Sequence, residues 1–127
     1  MEELNIEATP STPKVFGDPK SHTLSFSGES YPDIAPDFYK PIIDWLERYL
    51  QESNDPMDVH FELMMTSSSS IRQFYKIFGH LDKAREKGKA ITINWYYDPE
   101  NDTAKENGSD FSSEYDSLNF NIIEKKS

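Results

Sequence analysis

Cysteine is absent from this 127-residue chain. That excludes a disulfide framework, a thiolate nucleophile and any cysteine-built zinc site. The three histidines, His22, His60 and His80, lie far apart in the sequence, so no metal centre is expected. Glycine is scarce too: none of the five is close enough to another to form the glycine-rich cradle that holds nucleotide phosphates. No hydrophobic run reaches membrane-spanning length, and Met1-Glu2-Glu3-Leu4 lacks the basic flank and apolar stretch of a secretory leader. A cytoplasmic protein without membrane association is expected. Positive charge is in deficit as well, with 13 Lys and Arg against 23 Asp and Glu, a net charge of -10 and a pI near 4.6. Nucleic-acid backbones are held by neutralising cations, so a protein partner is the better expectation.

What remains is one domain, 1–127, large enough for a real hydrophobic core. Short strands are predicted at Leu4 to Ala8, Lys14 to Gly17 and Thr23 to Gly28, with a turn at Gly17-Asp18-Pro19. Phe38, Ile42, Trp45, Leu46 and Tyr49 recur at helical spacing, and Pro41 places the helix start near Asp37 or Tyr39. Asn54-Asp55-Pro56 ends that helix. Val59, Phe61, Leu63 and Met65 alternate with Asp58, His60, Glu62 and Met64, predicting a strand with one buried face. Ile71, Phe74, Tyr75, Phe78 and Leu81 give a second helix running to about Glu86, stopped by Gly88. A strand follows at Ala90 to Tyr97, then a polar loop or frayed turn from Asp98 to Gly108, a short helix over Phe111 to Leu118 and a closing strand at Phe120 to Ile123. The alternation is α/β, a mixed sheet of five to six strands against two main helices and a short C-terminal one. Trp45, Phe61, Leu63, Phe74, Phe78, Ile91 and Ile93 are the predicted core.

The most informative stretch is Thr66-Ser67-Ser68-Ser69-Ser70, where a strand gives way to a helix. One hydroxyl there serves as an N-cap, and Ser70-Ile71-Arg72-Gln73 fits a capping box. Ser67, Ser68 and Ser69 are then without a task. In α/β sheets functional loops collect at the carboxyl ends of strands, where these serines fall. A phosphate at a helix start meets unpaired N–H donors and the positive end of the dipole, and Arg72 or Lys76 could pair with it. Residues 70 to 90 carry a local charge of +4, leaving -14 for the rest of the chain. The plainer alternatives are a polar capping loop and a solvated helix face.

Other chemistries fit poorly. Asp98 to Asp102 spaces its oxygens like a calcium loop, but Thr103 and Ser109 stand where that loop needs Gly and Glu. No G-x-S-x-G elbow is present, which disfavours a serine hydrolase.

Several spaced motifs resemble the SiaC family of bacterial regulatory phosphoproteins, whose fold is similar to the STAS domain of anti-sigma factor antagonists. They are Ser11-Thr12-Pro13, Gly28-Glu29-Ser30-Tyr31-Pro32, Ile43-Asp44-Trp45-Leu46-Glu47-Arg48, Ser68-Ser69-Ser70 before Ile71-Arg72, and Asn94-Trp95-Tyr96-Tyr97-Asp98. The family shows Asn-Thr-Ser-Ser at the strand end, with the Thr as phosphoacceptor. That Thr falls on Ser68 and the Asn on Ser67, while a shift by one residue nominates Ser67 or Ser69. The resemblance implies a STAS-like switch without enzymatic activity or cofactor. A serine/threonine kinase modifies it, a PP2C-type phosphatase reverses this, and the unmodified form binds an effector. In the best-known circuit of this kind that effector is a diguanylate cyclase, and the family is tied to biofilm regulation. Expected partner contacts are Tyr31, Pro32, Ser67, Ser69, Ser70, Arg72 and Lys76. The rival reading is a small hydrolase or transferase with Ser68 as nucleophile, which requires a general base within hydrogen-bond reach of its hydroxyl.

Overall fold

In the computed structural model, which describes residues 1–126, the apolar alternations form six strands: β1 Leu4–Ile6, β2 Lys14–Asp18, β3 Thr23–Ser30, β4 Met57–Thr66, β5 Ile91–Tyr97 and β6 Asn119–Glu124. The helices are α1 Ala35–Glu52, α2 Ser68–Glu86 and α3 Asp102–Glu114. The strands form one sheet in sequence order, antiparallel from β1 to β3 and parallel from β3 to β6. Each parallel step carries one helix, and right-handed crossovers along a sheet of constant direction put all three helices on one face. Residues on that face, among them Phe26, Phe61 and Trp95, are buried with Tyr39, Phe74, Phe78 and Phe111 of the helices. Phe26 and Phe61 stack at 4.5 Å between ring centroids, and Phe74 meets Phe61 edge-on at 5.3 Å. The opposite face carries the polar half of each alternation. Its row Ser25, His60, Asn94 and Asn121 runs straight across four strands.

Several boundaries differ from expectation, each for a local reason. Helix α1 begins at Ala35, because Pro36 is well suited to the first turn, and Pro41 lies inside it on the exposed side. Trp45 is half-buried: it stacks on Tyr49 and its Nε1 donates to the Glu2 carbonyl at 3.0 Å, so it roofs the core edge and is not part of the interior. The stretch expected as loop is α3, capped by Asn101 Oδ1, which accepts from Ala104 N at 3.0 Å. Gly108 sits in mid-helix because a Cβ there would lie 2.6 Å from Trp95 Cδ1. That close approach lets Trp95 Nε1 reach the Ala104 carbonyl at 2.9 Å. Gly88 ends α2 with φ +104, and Lys89 N returns to the Ala84 carbonyl at 3.1 Å, the Schellman pattern. Lys89 is itself buried, its Nζ donating to the carbonyls of Ser53 at 3.0 Å and Asp55 at 2.5 Å just past α1. Burial pushes its pKa down, partly offset by the Asp55 charge.

Candidate functional site

A helix entering from a parallel strand leaves its first N–H groups pointing at the preceding loop, and here Ser67 meets them. Its backbone is extended (φ -74, ψ 159), and its Oγ accepts from Ser70 N at 3.2 Å. Ser67 is therefore the N-cap. The capping box expected from Ser70 does not form; Ser70 is already in the first helical turn and Gln73 is buried.

The four serines divide by environment. Ser70 is fully buried, accepting from Ser30 Oγ at 2.8 Å and donating to the Ser30 carbonyl at 3.1 Å. Ser30 Oγ in turn lies 2.6 Å from Tyr39 OH, whose pKa burial raises far above its usual value. Ser70 thus faces inward and is no surface contact, which corrects its placement among the partner-binding residues. Ser67 Oγ is engaged by the cap and lies 3.2 Å from Ser69 Oγ, and both residues are half-buried. Ser68 is exposed, and its hydroxyl has no hydrogen-bond partner among the described residues. It is the free hydroxyl of the four.

Surrounding residues follow from the same backbone contacts. Ser67 N donates to the Ser30 carbonyl at 2.8 Å, which brings Tyr31 and Pro32 beside the helix start. Tyr31 is anchored from below: its N donates to the Ser11 carbonyl at 2.8 Å and its OH to the Pro10 carbonyl at 2.8 Å. Arg72 and Lys76 stand one and two turns beyond Ser68 on its own side of α2. Both are exposed, and neither enters an ion pair among the described residues.

Sequence reasoning missed the end of β4. Between Gly28↔Leu63 and Ser30↔Thr66 the register takes two steps on β3 and three on β4, a bulge at Met64-Met65 opposite Glu29. The alternation breaks there. Met65, expected on the buried face, is turned outward and is 60% exposed, beside Met64 at 68%. Asn101 fixes the bulge, its Nδ2 donating to the Met64 carbonyl at 2.7 Å while its Oδ1 caps α3. Tyr31 and Ile34, beyond the end of β3, are exposed apolar residues as well.

His22 pairs with Asp55, His60 lies 3.3 Å from Tyr96 OH on the open sheet face, and His80 pairs with Glu47. Among the described residues no general base bonds the Ser68 hydroxyl, and no three His, Asp or Glu converge on a metal-sized site. No described helix is long and apolar enough to cross a membrane.

Comparison with known proteins agrees with this architecture. An uncharacterised protein of Pseudomonas aeruginosa strain UCBPP-PA14 is 32% identical over 111 residues, covering 87% of this chain and 88% of the relative. The crystal structure of apo-SiaC from Pseudomonas aeruginosa superposes with a TM-score of 0.86 at 28% identity, over 99% of this chain and 100% of that one. SiaC in the crystal structure of the diguanylate cyclase SiaD with its activator SiaC, also from Pseudomonas aeruginosa, superposes with a TM-score of 0.81 at 29% identity, over 95% of this chain and 97% of that one. The profile of the SiaC family regulatory phosphoproteins matches residues 6–125, and the chain belongs to that family.

Proposed function

We propose that this protein is a non-enzymatic switch whose unmodified form binds an effector, a diguanylate cyclase by analogy with the SiaD complex, and whose phosphorylation at Ser68 weakens that binding. The observation that carries the reading is the sorting of the four serines: one caps, one is buried, one leans on the cap, and Ser68 alone is exposed and unbonded. A kinase needs a hydroxyl it can reach, and a reversible switch needs a modification the fold tolerates. Ser68 meets both conditions, standing at the positive end of α2 with Arg72 one turn on. A phosphate of about -1.5 to -2 charge adds repulsion and desolvation cost to any close contact and competes for Arg72. Tyr31, Pro32, Ser67, Ser69, Arg72 and Lys76 border the same spot and form the binding surface. The circuit is completed by a serine/threonine kinase and a PP2C-type phosphatase acting in the cytoplasm.

The hydrolase alternative lacks a base at Ser68, and no observation favours it. The test uses unmodified and kinase-phosphorylated protein as paired baits in host lysate, with captured proteins identified by mass spectrometry. A cyclase retained by the unmodified bait and lost from the phosphorylated one is the expected result. Equal capture of one effector by both overturns the switch.

A further inference from the structure

The only sulfur atoms in this chain are the four methionine thioethers, and the bulge places two of them beside the serine loop. Met57 is 1% exposed in the core, whereas Met64 and Met65 are 68% and 60% exposed on consecutive residues just before Thr66 and the Ser67 cap. A regular strand would have pointed one of them inward. The bulge turns both out, and the Asn101 bond to the Met64 carbonyl holds them there. Exposed thioethers are soft, polarisable contacts for an apolar partner surface, and they are also open to oxidation.

We propose that Met64 and Met65 are the apolar anchor of the effector-binding surface and an oxidation site, so that their conversion to sulfoxides releases the effector independently of phosphate. The inference rests on the reading of this loop as an effector-binding surface. The oxidant is a hydroperoxide. The thioether sulfur gives an electron pair to the terminal peroxide oxygen and the O–O bond breaks. An S–O bond forms, and the other oxygen leaves as water or alcohol, taking up the proton that the transferred oxygen gives up. Sulfur is oxidised by two electrons and the peroxide reduced by two. The product is a polar group at the centre of an apolar contact, where it must be desolvated. A thiol-dependent methionine sulfoxide reductase reverses the step, reducing sulfoxide to thioether and water as two thiols become a disulfide. Because the sulfurs lie outside the core, the fold survives the change.

The experiment treats the full chain with hydrogen peroxide, counts sulfoxide at each methionine by peptide mass spectrometry, and measures binding to the effector identified with the unmodified bait. Met64 and Met65 are expected to oxidise well before Met57, with the circular dichroism spectrum unchanged and effector binding weakened about tenfold or more. Methionine sulfoxide reductase restores binding. The double variant Met64→Leu, Met65→Leu shows the same effector affinity before and after treatment, whatever that affinity is, although Met1 is still oxidised. Met64 and Met65 oxidising no faster than Met57, or oxidised protein binding as well as untreated protein, overturns the inference. A phosphorylated arm run in parallel keeps the two readings apart: its failure to weaken binding counts against the phosphate switch and not against the methionines.

Discussion

Ser30 Oγ donates to Ser70 Oγ at 2.8 Å, joining the end of β3 to the first turn of α2 across 40 residues of sequence, and both side chains are fully buried. With Tyr39 OH 2.6 Å from Ser30 Oγ, this hydroxyl chain fixes the helix start that presents Ser68. Buried hydroxyls are tolerable only while mutually satisfied. Ser30→Ala leaves the Tyr39 hydroxyl without its partner, while Ser70 keeps its bonds to the Ser30 carbonyl and Ser67 Oγ. It should cost about 1–3 kcal/mol in chemical denaturation, whereas Ser68→Ala should fall within about 0.5 kcal/mol of the parent. Equal effects would mean that Ser68 is not the free hydroxyl.

Glycine provides a second paired test. A Cβ on Gly108 would press into the Trp95 indole at 2.6 Å, while one on Gly79, also in a helix, meets nothing closer than Tyr115 OH at 3.9 Å. Gly108→Ala should therefore destabilise by about 1–3 kcal/mol despite the better helix propensity of Ala. Gly79→Ala should gain about 0.4–1 kcal/mol. Melting curves of the two variants would show opposite signs, and a stabilised Gly108→Ala would mean that α3 stands further from the sheet.

The core offers a graded test. Phe74 is fully buried among Phe26, Tyr39, Phe61 and Trp95, so Phe74→Ala should cost roughly 3–5 kcal/mol. Trp45 lies over the core edge against Gly17 and Tyr49 and keeps a wet side, so Trp45→Ala should cost less despite removing more atoms. Urea denaturation of both variants gives the order, and a larger loss at Trp45 would contradict its half-buried placement.

The sequence is legible where one period governs. Val59, Phe61 and Leu63 alternate and are buried; Phe74, Phe78 and Leu81 recur at helical spacing and are buried. It misleads where a tertiary contact overrides the period. Met65 continues the strand alternation, yet the unequal register of β3 and β4 turns it out. Asp98 to Gly108 has loop composition, yet Asn101 caps a helix there and Gly108 is kept small by the Trp95 ring. At the serine loop the chain order alone places a helix start, but four similar residues in a row cannot show which one caps, and only the hydrogen bonds separate Ser67 from Ser70.

That separation makes a positional scan of negative charge the sharpest test of the site. At Ser68 an added carboxylate meets the positive end of α2 and solvent, a combination worth about 0.3–1 kcal/mol of stabilisation. Ser68→Asp should keep or slightly raise the melting temperature. At Ser70, two residues on, the same carboxylate lands beside the Ser30 and Tyr39 hydroxyls, fully shielded from solvent, and a buried unpaired charge costs several kcal/mol, on the order of 3–5. Ser70→Asp should unfold at far lower temperature or fail to accumulate. Binding should follow a different order from stability. The charge at Ser68 lies on the proposed contact surface and must be desolvated when the effector docks, so Ser68→Asp weakens effector binding in a protein whose fold is intact. Asp has one charge and a planar head where a phosphate has nearly two and a tetrahedral one, so the kinase-modified protein should lose more affinity than the variant at the same melting temperature. Thermal melts and effector titrations on the three samples decide the matter. A drop in melting temperature at Ser68 as large as at Ser70 would place the hydroxyl inside the fold, and a phosphate there would then unfold the protein instead of switching its partner.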